Sequence, residues 1–389
     1  MTNKPSAAAI HAGSWWLERR DALLALADEH ESAWVYDRES VRAAVRSLTE
    51  LASIDRVLYA MKANFNPQIL RLLASLDVDF ECVSPGEVMH LRASLPDLPN
   101  SRILFTPNFA PRGDYEWALG EGLCTTLDNL HPLRCWPELF ADKDLLVRID
   151  TGIGRGHHDH VVTSGEMSKF GIPRFEVDEL VERVNAVGAR VIGVHTHSGS
   201  GIAESDTWGS LAAVLAEVAE RFPTARALDL GGGLSVAARP DDTPFDLTGM
   251  DRAVAEVRRR FPKYDIWVEP GRYLVAESGV LMTRVTQLKG KGDRRYVGVA
   301  TGMNALIRPS LYDAYHEIVN LTRVDSAPVG SATVVGPICE TGDTLGHDRL
   351  LPECEEGDVM LILTAGAYGR VMSSSYNLRP LPPEVVLDD

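Results

Sequence analysis

The chain has 389 residues, of which 45% are hydrophobic and 24% charged, as in globular proteins and unlike disordered, collagenous or coiled-coil chains. Its 55 acidic residues outnumber the 39 lysines and arginines, and a net charge of −16 disfavours nucleic acid as a partner because the surface repels phosphate. No apolar run is long enough to cross a bilayer, so we expect no membrane partner. This length predicts two domains, or a barrel with a smaller domain.

The N-terminal residues 1–9 contain one lysine and no apolar core, so they do not resemble a secretory signal, and we expect a short flexible tail. The five cysteines are odd in number and form no C-x-x-C pair, which disfavours a disulfide framework and a zinc ribbon. They are Cys82, Cys124, Cys135, Cys339 and Cys354. This pattern predicts a cytoplasmic protein.

Short apolar runs alternate with helical stretches over the first 270 or so residues, as expected of parallel strands buried on both faces. The runs are 57–60, 80–83, 103–106, 125–127, 145–149, 191–197, 227–230 and 266–268. Helical periodicity is visible in 67–76 and 177–187. About eight such units predict an α/β fold with a TIM-type (β/α)8 barrel. An open, doubly wound sheet is the alternative.

After Arg272 the pattern changes to strands joined by turns rich in Gly and Asp, which predicts a second, mostly β domain resembling a sandwich or barrel. The strand-like runs there are 279–288, 295–300, 332–335 and 359–363, and we expect 33–36 to add a strand. The predicted organisation is therefore a tail and strand in 1–40, the barrel in 41–275 and the β domain in 276–389.

In a parallel barrel the active site lies at the carboxyl ends of the strands. Four predicted strands end in residues that carry chemistry, namely Lys62, His195–Gly201, Asp229–Gly233 and Glu269–Arg272. Each has an ordinary structural explanation, such as a solvated lysine, a core histidine, a tight turn or a surface charge.

Together, however, these residues supply what pyridoxal 5′-phosphate requires. The amine of Lys62 forms a Schiff base, and the imidazole of His197 stacks on the ring. The bare amides of Gly231, Gly232 and Gly233, with Arg272, hold the phosphate. The carboxylate of Glu269 keeps the ring nitrogen protonated.

Four segments resemble motifs of the barrel-type (fold type III) pyridoxal-phosphate decarboxylases, and the resemblance runs from about Trp34 to Glu384. They are YAMKAN (59–64), HTHSGSG (195–201), DLGGG (229–233) and EPGR (269–272). The resemblance implies that His197 is the stacking residue, that Ser200 lies near the phosphate, and that Glu269 meets the pyridine nitrogen. These motifs fit several amino-acid decarboxylases.

Further segments resemble the diaminopimelate decarboxylases in particular, namely 304–312, 165–171, 339–343 and 365–369. In the first of them Arg308 and Tyr312 are implied to bind substrate, and in the last Tyr368 is implied to contact both cofactor and substrate. The segment that begins at Cys339 is implied to cross the interface of a homodimer. One departure is Glu81, where the family usually has Asp.

The implied activity is decarboxylation of meso-2,6-diaminopimelate to L-lysine and CO2, the last step of lysine biosynthesis. Cys339 of the other subunit would supply a proton to the α-carbon. Glu340 would hold the distal ammonium of the substrate, and Arg272 and Arg308 its distal carboxylate.

Three alternatives remain at this level. A decarboxylase of ornithine, lysine or arginine would want an acidic residue at the distal end, and an alanine racemase would need a tyrosine acid and a smaller pocket. A barrel that only binds pyridoxal phosphate or a protein would not need Lys62 and Cys339.

The histidines His157, His158 and His160 are better explained as a polar loop than as ligands, and we predict no metal.

Overall fold

The computed structural model describes residues 5–153 and 168–388. The helices are α1 (Ala7–Ile10), α2 (Trp15–Glu18), α3 (Arg20–Glu29), α4 (Arg38–Thr49), α5 (Pro67–Ser75), α6 (Pro85–Ser94), α7 (Arg112–Gly120), α8 (His131–Cys135), α9 (Val177–Val187), α10 (Asp206–Ala219), α11 (Leu247–Arg260), α12 (Arg272–Val275) and α13 (Arg308–Tyr312). The strands are β1 (Ser32–Asp37), β2 (Arg56–Ala60), β3 (Asp79–Cys82), β4 (Ile103–Phe105), β5 (Cys124–Leu127), β6 (Asp144–Asp150), β7 (Ile172–Pro173), β8 (Arg190–His195), β9 (Ala227–Asp229), β10 (Asp265–Val268), β11 (Gly279–Lys291), β12 (Arg294–Val299), β13 (Ile318–Asn320), β14 (Gly330–Val335), β15 (Thr344–Leu351), β16 (Val359–Ile362) and β17 (Glu384–Leu387).

The chain divides into two compact units. The barrel unit comprises residues 42–236 and 244–274. The β-rich unit comprises the described residues up to 41, the segment 237–243 and the described residues from 275 onwards. Segment 237–243, which the sequence-based boundaries assigned to the barrel, thus groups with the β-rich unit.

The barrel unit contains the predicted closed parallel barrel, and each of the eight apolar runs is one of its strands. The strands follow one another in the order β2-β3-β4-β5-β6-β8-β9-β10, and β10 pairs with β2 to close the ring. Leu58, Leu104 and Leu146, from β2, β4 and β6, form one buried cluster. Closure excludes the open-sheet alternative and leaves these strands without a free edge.

Both predicted helices of the barrel unit are present. Helix α5 begins at Pro67, and the preceding Asn66 caps it by accepting a hydrogen bond from the Gln68 amide. Helix α9 is followed by Gly188, whose left-handed conformation terminates the helix. Helices α10 and α11, at 14 residues each, bury an apolar face. No helix within the described residues combines the length and the hydropathy of a membrane span.

The β-rich unit is built on a mixed eight-stranded sheet. The sheet runs in the order β13-β16-β11-β12-β14-β15, and β1 pairs with both β11 and β17. The predicted runs at 33–36, 279–288, 295–300, 332–335 and 359–363 correspond to strands here. Strands β13, β15 and β17 were not predicted. Strand β15 lies at the end of the strand order, and its mixture of buried and exposed residues has no regular period of two.

The expectation of a flexible tail is wrong for residues 5–9 of the described chain. Ser6 caps α1, and the Ala8 amide donates to the Val324 carbonyl at 3.0 Å. Farther along, Trp16 of α2 and Leu23 of α3 are buried in the core of the β-rich sheet. These helices form because the sheet offers them an apolar face, a partner that the local composition of the N-terminus does not reveal.

Candidate active site

Lys62 lies in the turn that follows β2, at the carboxyl edge of the barrel. Its Nζ is 2.9 Å from Oε2 of Glu81, which is the penultimate residue of β3 and is only 2% exposed. Thr106 donates to the other carboxylate oxygen of Glu81. The longer side chain of Glu81, the departure noted in the sequence, therefore holds the lysine amine. Lys62 itself is 40% exposed, so a small aldehyde can reach its amine.

His197 follows β8, and the amide of Gly232 donates to its Nδ1 at 3.1 Å. Burial, followed by the charges of Arg148 and Lys62, lowers the pKa of His197 well below the ordinary histidine value. The imidazole is therefore neutral at physiological pH. A neutral, fixed imidazole presents a flat face suited to stacking on an aromatic ring.

The glycine turn after β9 requires residues without a side chain. Gly231 and Gly233 have φ values of +69° and +115°. A Cβ at these positions would meet the carbonyl oxygens of Thr196 and Gly199, and one at Gly232 would meet that of Glu269. The turn therefore packs closely against neighbouring backbone. The amides of Gly231 and Gly232 donate within the protein, to Oδ1 of Asp229 and Nδ1 of His197, so the prediction of a phosphate-binding amide now concerns Gly233.

Arg272 begins α12, directly after the turn that ends β10. Its Nε and Nη2 donate to Oγ of Ser200 at 3.4 and 3.2 Å. The guanidinium and the hydroxyl predicted to hold a phosphate therefore lie together. Both belong to the barrel unit, as does the glycine turn.

Glu269 is 5% exposed, and its Oε2 accepts a hydrogen bond from Nε2 of His195 at 3.1 Å. Burial raises the pKa of this carboxyl, but the hydrogen-bonded His195 and the charge of Lys62 outweigh burial and lower it to about 2. Glu269 is therefore an anion, as a carboxylate that keeps a pyridine nitrogen protonated must be.

For three further polar residues at the same edge, the sequence predicted no individual role. Arg148 at the end of β6 is 3.5 Å from Oδ1 of Asp128, and burial lowers its pKa. His195 and Asp229 end β8 and β9 and are buried. Like Lys62, these residues lie at or near the carboxyl ends of strands, but their residue types alone do not indicate a role.

The other predicted residues belong to the β-rich unit. Arg308 begins α13, is 7% exposed and donates from Nη1 to the Ala367 carbonyl at 3.5 Å. Tyr312 ends the same helix and is half-buried. Tyr368 adjoins Ala367, is half-buried and has a φ of +56°. Within this unit the structure thus brings the segment around Arg308 next to that around Tyr368.

Cys339 and Glu340 are exposed on a loop of the β-rich unit. The buried carboxylate of Asp343 fixes this loop, because it accepts the amides of Met303 and Ile338, each at 2.6 Å. Ser310 of α13 also donates to the Gly342 carbonyl at 2.6 Å. The loop is therefore hydrogen-bonded to the segment that carries Arg308. Cys339 is exposed, so it is not a buried structural cysteine.

Two sequence features fall partly or wholly outside the described residues. Of the segment 165–171, only residues from Ser168 onwards are described, and the Gly171 amide donates to Oδ1 of Asp128 at 3.2 Å. The histidines His157, His158 and His160 lie outside the described residues.

Residues 38–276 match the family described as "Pyridoxal-dependent decarboxylase, pyridoxal binding domain". A diaminopimelate decarboxylase from Methanothermobacter thermautotrophicus is 34% identical over 380 residues, covering 93% of this chain and 88% of its own. One from Deinococcus radiodurans is 34% identical over 353 residues, with coverages of 91% and 89%. The crystal structure of diaminopimelate decarboxylase from Helicobacter pylori complexed with L-lysine has a TM-score of 0.84 and 30% identity, covering 92% of each chain. The chain therefore belongs to the diaminopimelate decarboxylase family of the pyridoxal-dependent decarboxylases.

Proposed function

We propose that this chain removes one carboxyl group from meso-2,6-diaminopimelate, yielding L-lysine and CO2 in the last step of lysine biosynthesis. The observation that carries the proposal is the arrangement at the barrel edge. Lys62 is held by Glu81, and its charge lowers the pKa of both the neutral His197 and the anionic Glu269. Pyridoxal phosphate requires an amine, a flat imidazole and an anion, and these three groups lie close enough here to influence one another's pKa.

The residues of the barrel unit fit this cofactor. The amide of Gly233 and the hydrogen-bonded pair of Arg272 and Ser200 would hold its phosphate. Lys62 would bind the aldehyde, and Glu269 the ring nitrogen. When bound, the cofactor supplies an electron sink that takes up the electron pair left at the α-carbon by the departing carboxyl group.

The residues of this chain have three tasks around that sink. Glu81 would hold the amine of Lys62 beside the cofactor once the substrate amine is bound there. His197, held by the Gly232 amide, would stack on the ring and fix its position. Glu269 holds a proton on the ring nitrogen, because a buried anion stabilises the neighbouring cation.

We infer that the protein acts as a homodimer in which Cys339 of one subunit donates a proton at the α-carbon bound in the other. A thiol is a suitable acid near neutral pH. The exposure of Cys339 and Glu340 supports this role, because another molecule can reach both side chains. Within this chain the Glu340 carboxylate accepts the Thr341 amide at 2.9 Å. Tyr368 would contact cofactor and substrate.

Specificity would come from the distal end of the substrate, which carries an ammonium and a carboxylate. Glu340 would bind the ammonium. Arg308 and Arg272 would bind the carboxylate through the guanidinium fork, with Tyr312 beside them. Lysine and ornithine lack that carboxylate and would not form this ion pair, a loss on the order of 3–5 kcal/mol. Such substrates would be rejected.

All five cysteines of the chain are free in the structure, which fits a reducing compartment and supports the cytoplasm as the place of action.

The test is CO2 release by the purified protein, reconstituted with pyridoxal phosphate, from meso-diaminopimelate, lysine, ornithine and arginine. We expect turnover of diaminopimelate alone, with a kcat/KM at least about 10²-fold above the others. Faster release from ornithine or arginine would identify the rival decarboxylase. If the cofactor binds but none of the four amino acids releases CO2, the chain is a barrel that only binds pyridoxal phosphate.

A further inference from the structure

Three buried polar side chains meet where β8, β9 and β10 end. His195, Asp229 and Glu269 are 2%, 0% and 5% exposed, and one nitrogen or oxygen of each lies within 4.8 Å of the others. The pairing of the strands sets this arrangement, because His195 is in register with Asp229. Two carboxyl groups thus share a buried site.

The hydrogen bonds of this cluster leave one oxygen on each carboxyl group. Oδ1 of Asp229 accepts the Gly231 amide at 3.0 Å, and Oε2 of Glu269 accepts from His195 at 3.1 Å. Asp229 Oδ2 and Glu269 Oε1 are buried and have no donor among the described residues. A buried oxygen without a donor is costly, and one proton shared between these two oxygens would satisfy both.

The charges around the cluster favour one location for that proton. His195 and Lys62 stabilise the anion at Glu269. Asp229 faces Glu269 and Glu81, and Cys124 is a further titratable neighbour. Burial, and then repulsion by Glu269, raise the pKa of Asp229 well above the ordinary aspartate value. Two carboxylates this close in a dry site do not both ionise.

We propose that Asp229 is a neutral carboxylic acid in the folded protein and donates its O–H to Glu269, so that it acts as a positioning residue for the anion that meets the pyridine nitrogen. The arrangement leaves a single negative charge in the cluster and fixes both oxygens of Glu269. The inference deepens the proposed function, on which its catalytic meaning rests, but the protonation state itself can be measured without cofactor or turnover.

The first experiment is infrared difference spectroscopy of the cofactor-free protein in H2O and D2O. At pH 8 we expect a carboxylic-acid C=O band in the wild type that shifts in D2O and is lost in Asp229→Asn. Glu87→Gln is the matched control, because Glu87 is a barrel-unit carboxyl whose pKa is raised to about 7. Its band should titrate away near neutral pH, whereas the Asp229 band should persist.

Absence of a persistent acid band from the wild type would overturn the proposal, whether or not the variants fold. So would a band that survives Asp229→Asn and disappears in Glu269→Gln, because the proton would then reside on Glu269. If the band behaves as expected and no CO2 is released from any amino acid, the proposed function fails and the inference stands.

A second readout separates positioning from bulk packing. The amide of Asp229→Asn can still donate to Glu269 and accept from Gly231, whereas Asp229→Ala can do neither. We expect the Asn variant to bind pyridoxal phosphate at least about tenfold more tightly than the Ala variant, measured by equilibrium dialysis. Equal affinities of the two variants would contradict a positioning role.

Discussion

In the barrel unit, Glu81, His197 and Glu269 have hydrogen-bond partners and lie in an environment that shifts the pKa of the last two. In the β-rich unit, Cys339 and Glu340 are exposed on a loop. The difference teaches that the barrel alone can prepare groups for the cofactor, because burial and neighbouring charges are built into its strand ends. The exposed loop has no comparable environment within its own unit, and we propose that a second subunit supplies it.

The largest effect is expected at Lys62. Lys62→Ala removes the amine on which the proposed chemistry begins, and CO2 release from diaminopimelate should fall by about 10⁴-fold. Borohydride treatment should fix the cofactor to the peptide that contains Lys62 in the wild type, as read by mass spectrometry. Lys263→Ala, which removes an exposed lysine paired with Glu220, is the control and should keep both properties. A label on another lysine would refute the role of Lys62.

The next effect tests the exposed loop. Cys339→Ala should lower kcat by about 10³-fold, because the proton donor is lost. The visible spectrum of the bound cofactor should be unchanged, because Cys339 does not belong to the barrel unit. Cys135→Ala removes the other exposed cysteine and should leave kcat as it is. A changed cofactor spectrum in Cys339→Ala would contradict this division of tasks between the two units.

Arg308 tests specificity. Arg308→Ala should lower kcat/KM for diaminopimelate by about 10²-fold, because the distal carboxylate loses its charged partner. Pyridoxal-phosphate affinity should fall far less, and Arg308→Lys should recover part of the activity because it keeps the charge but not the fork. Steady-state kinetics measures kcat/KM for diaminopimelate, and equilibrium dialysis measures the affinity for pyridoxal phosphate. Equal losses in substrate use and cofactor binding would remove Arg308 from the specificity site.

The smallest effect concerns stability. Burial and the charge of Glu81 raise the pKa of Glu87 to about 7. In the unfolded chain this group loses its proton near pH 4.3, about the ordinary value, so between the two pKa values only the folded state holds the proton. The unfolding free energy contributed by Glu87 therefore falls as pH rises through this window.

Because Glu87 is partly exposed, we expect this loss to be about 1–2 kcal/mol between pH 5 and 8 and to be absent in Glu87→Gln. Urea unfolding of the cofactor-free protein at the two pH values measures it. Glu256→Gln, on the exposed surface of α11, serves as the matched variant and should keep the wild-type slope. An unaltered slope in Glu87→Gln would show that Glu87 is not the source.

Much of the barrel could be predicted because its strands are apolar on both faces and end in residues with distinctive chemistry. Lys62, His197 and Glu269 follow from the single rule that parallel strands present their carboxyl ends at one edge. Strand β15 escaped prediction because it alternates irregularly between buried and exposed residues. The N-terminal helices escaped because they gain stability from a sheet that is distant in sequence.

By itself, the sequence determined the order of the strands, the identity of the groups at their ends and the family motifs, since all of these are properties of local stretches. The tertiary structure alone decided the charge states. The side chains around them make Glu269 an anion and His197 a neutral imidazole. Glu81 forms an ion pair with Lys62 because β2 and β3 are adjacent. Proton affinities depend on burial and on charges from several strands at once, and no single stretch of sequence contains that information.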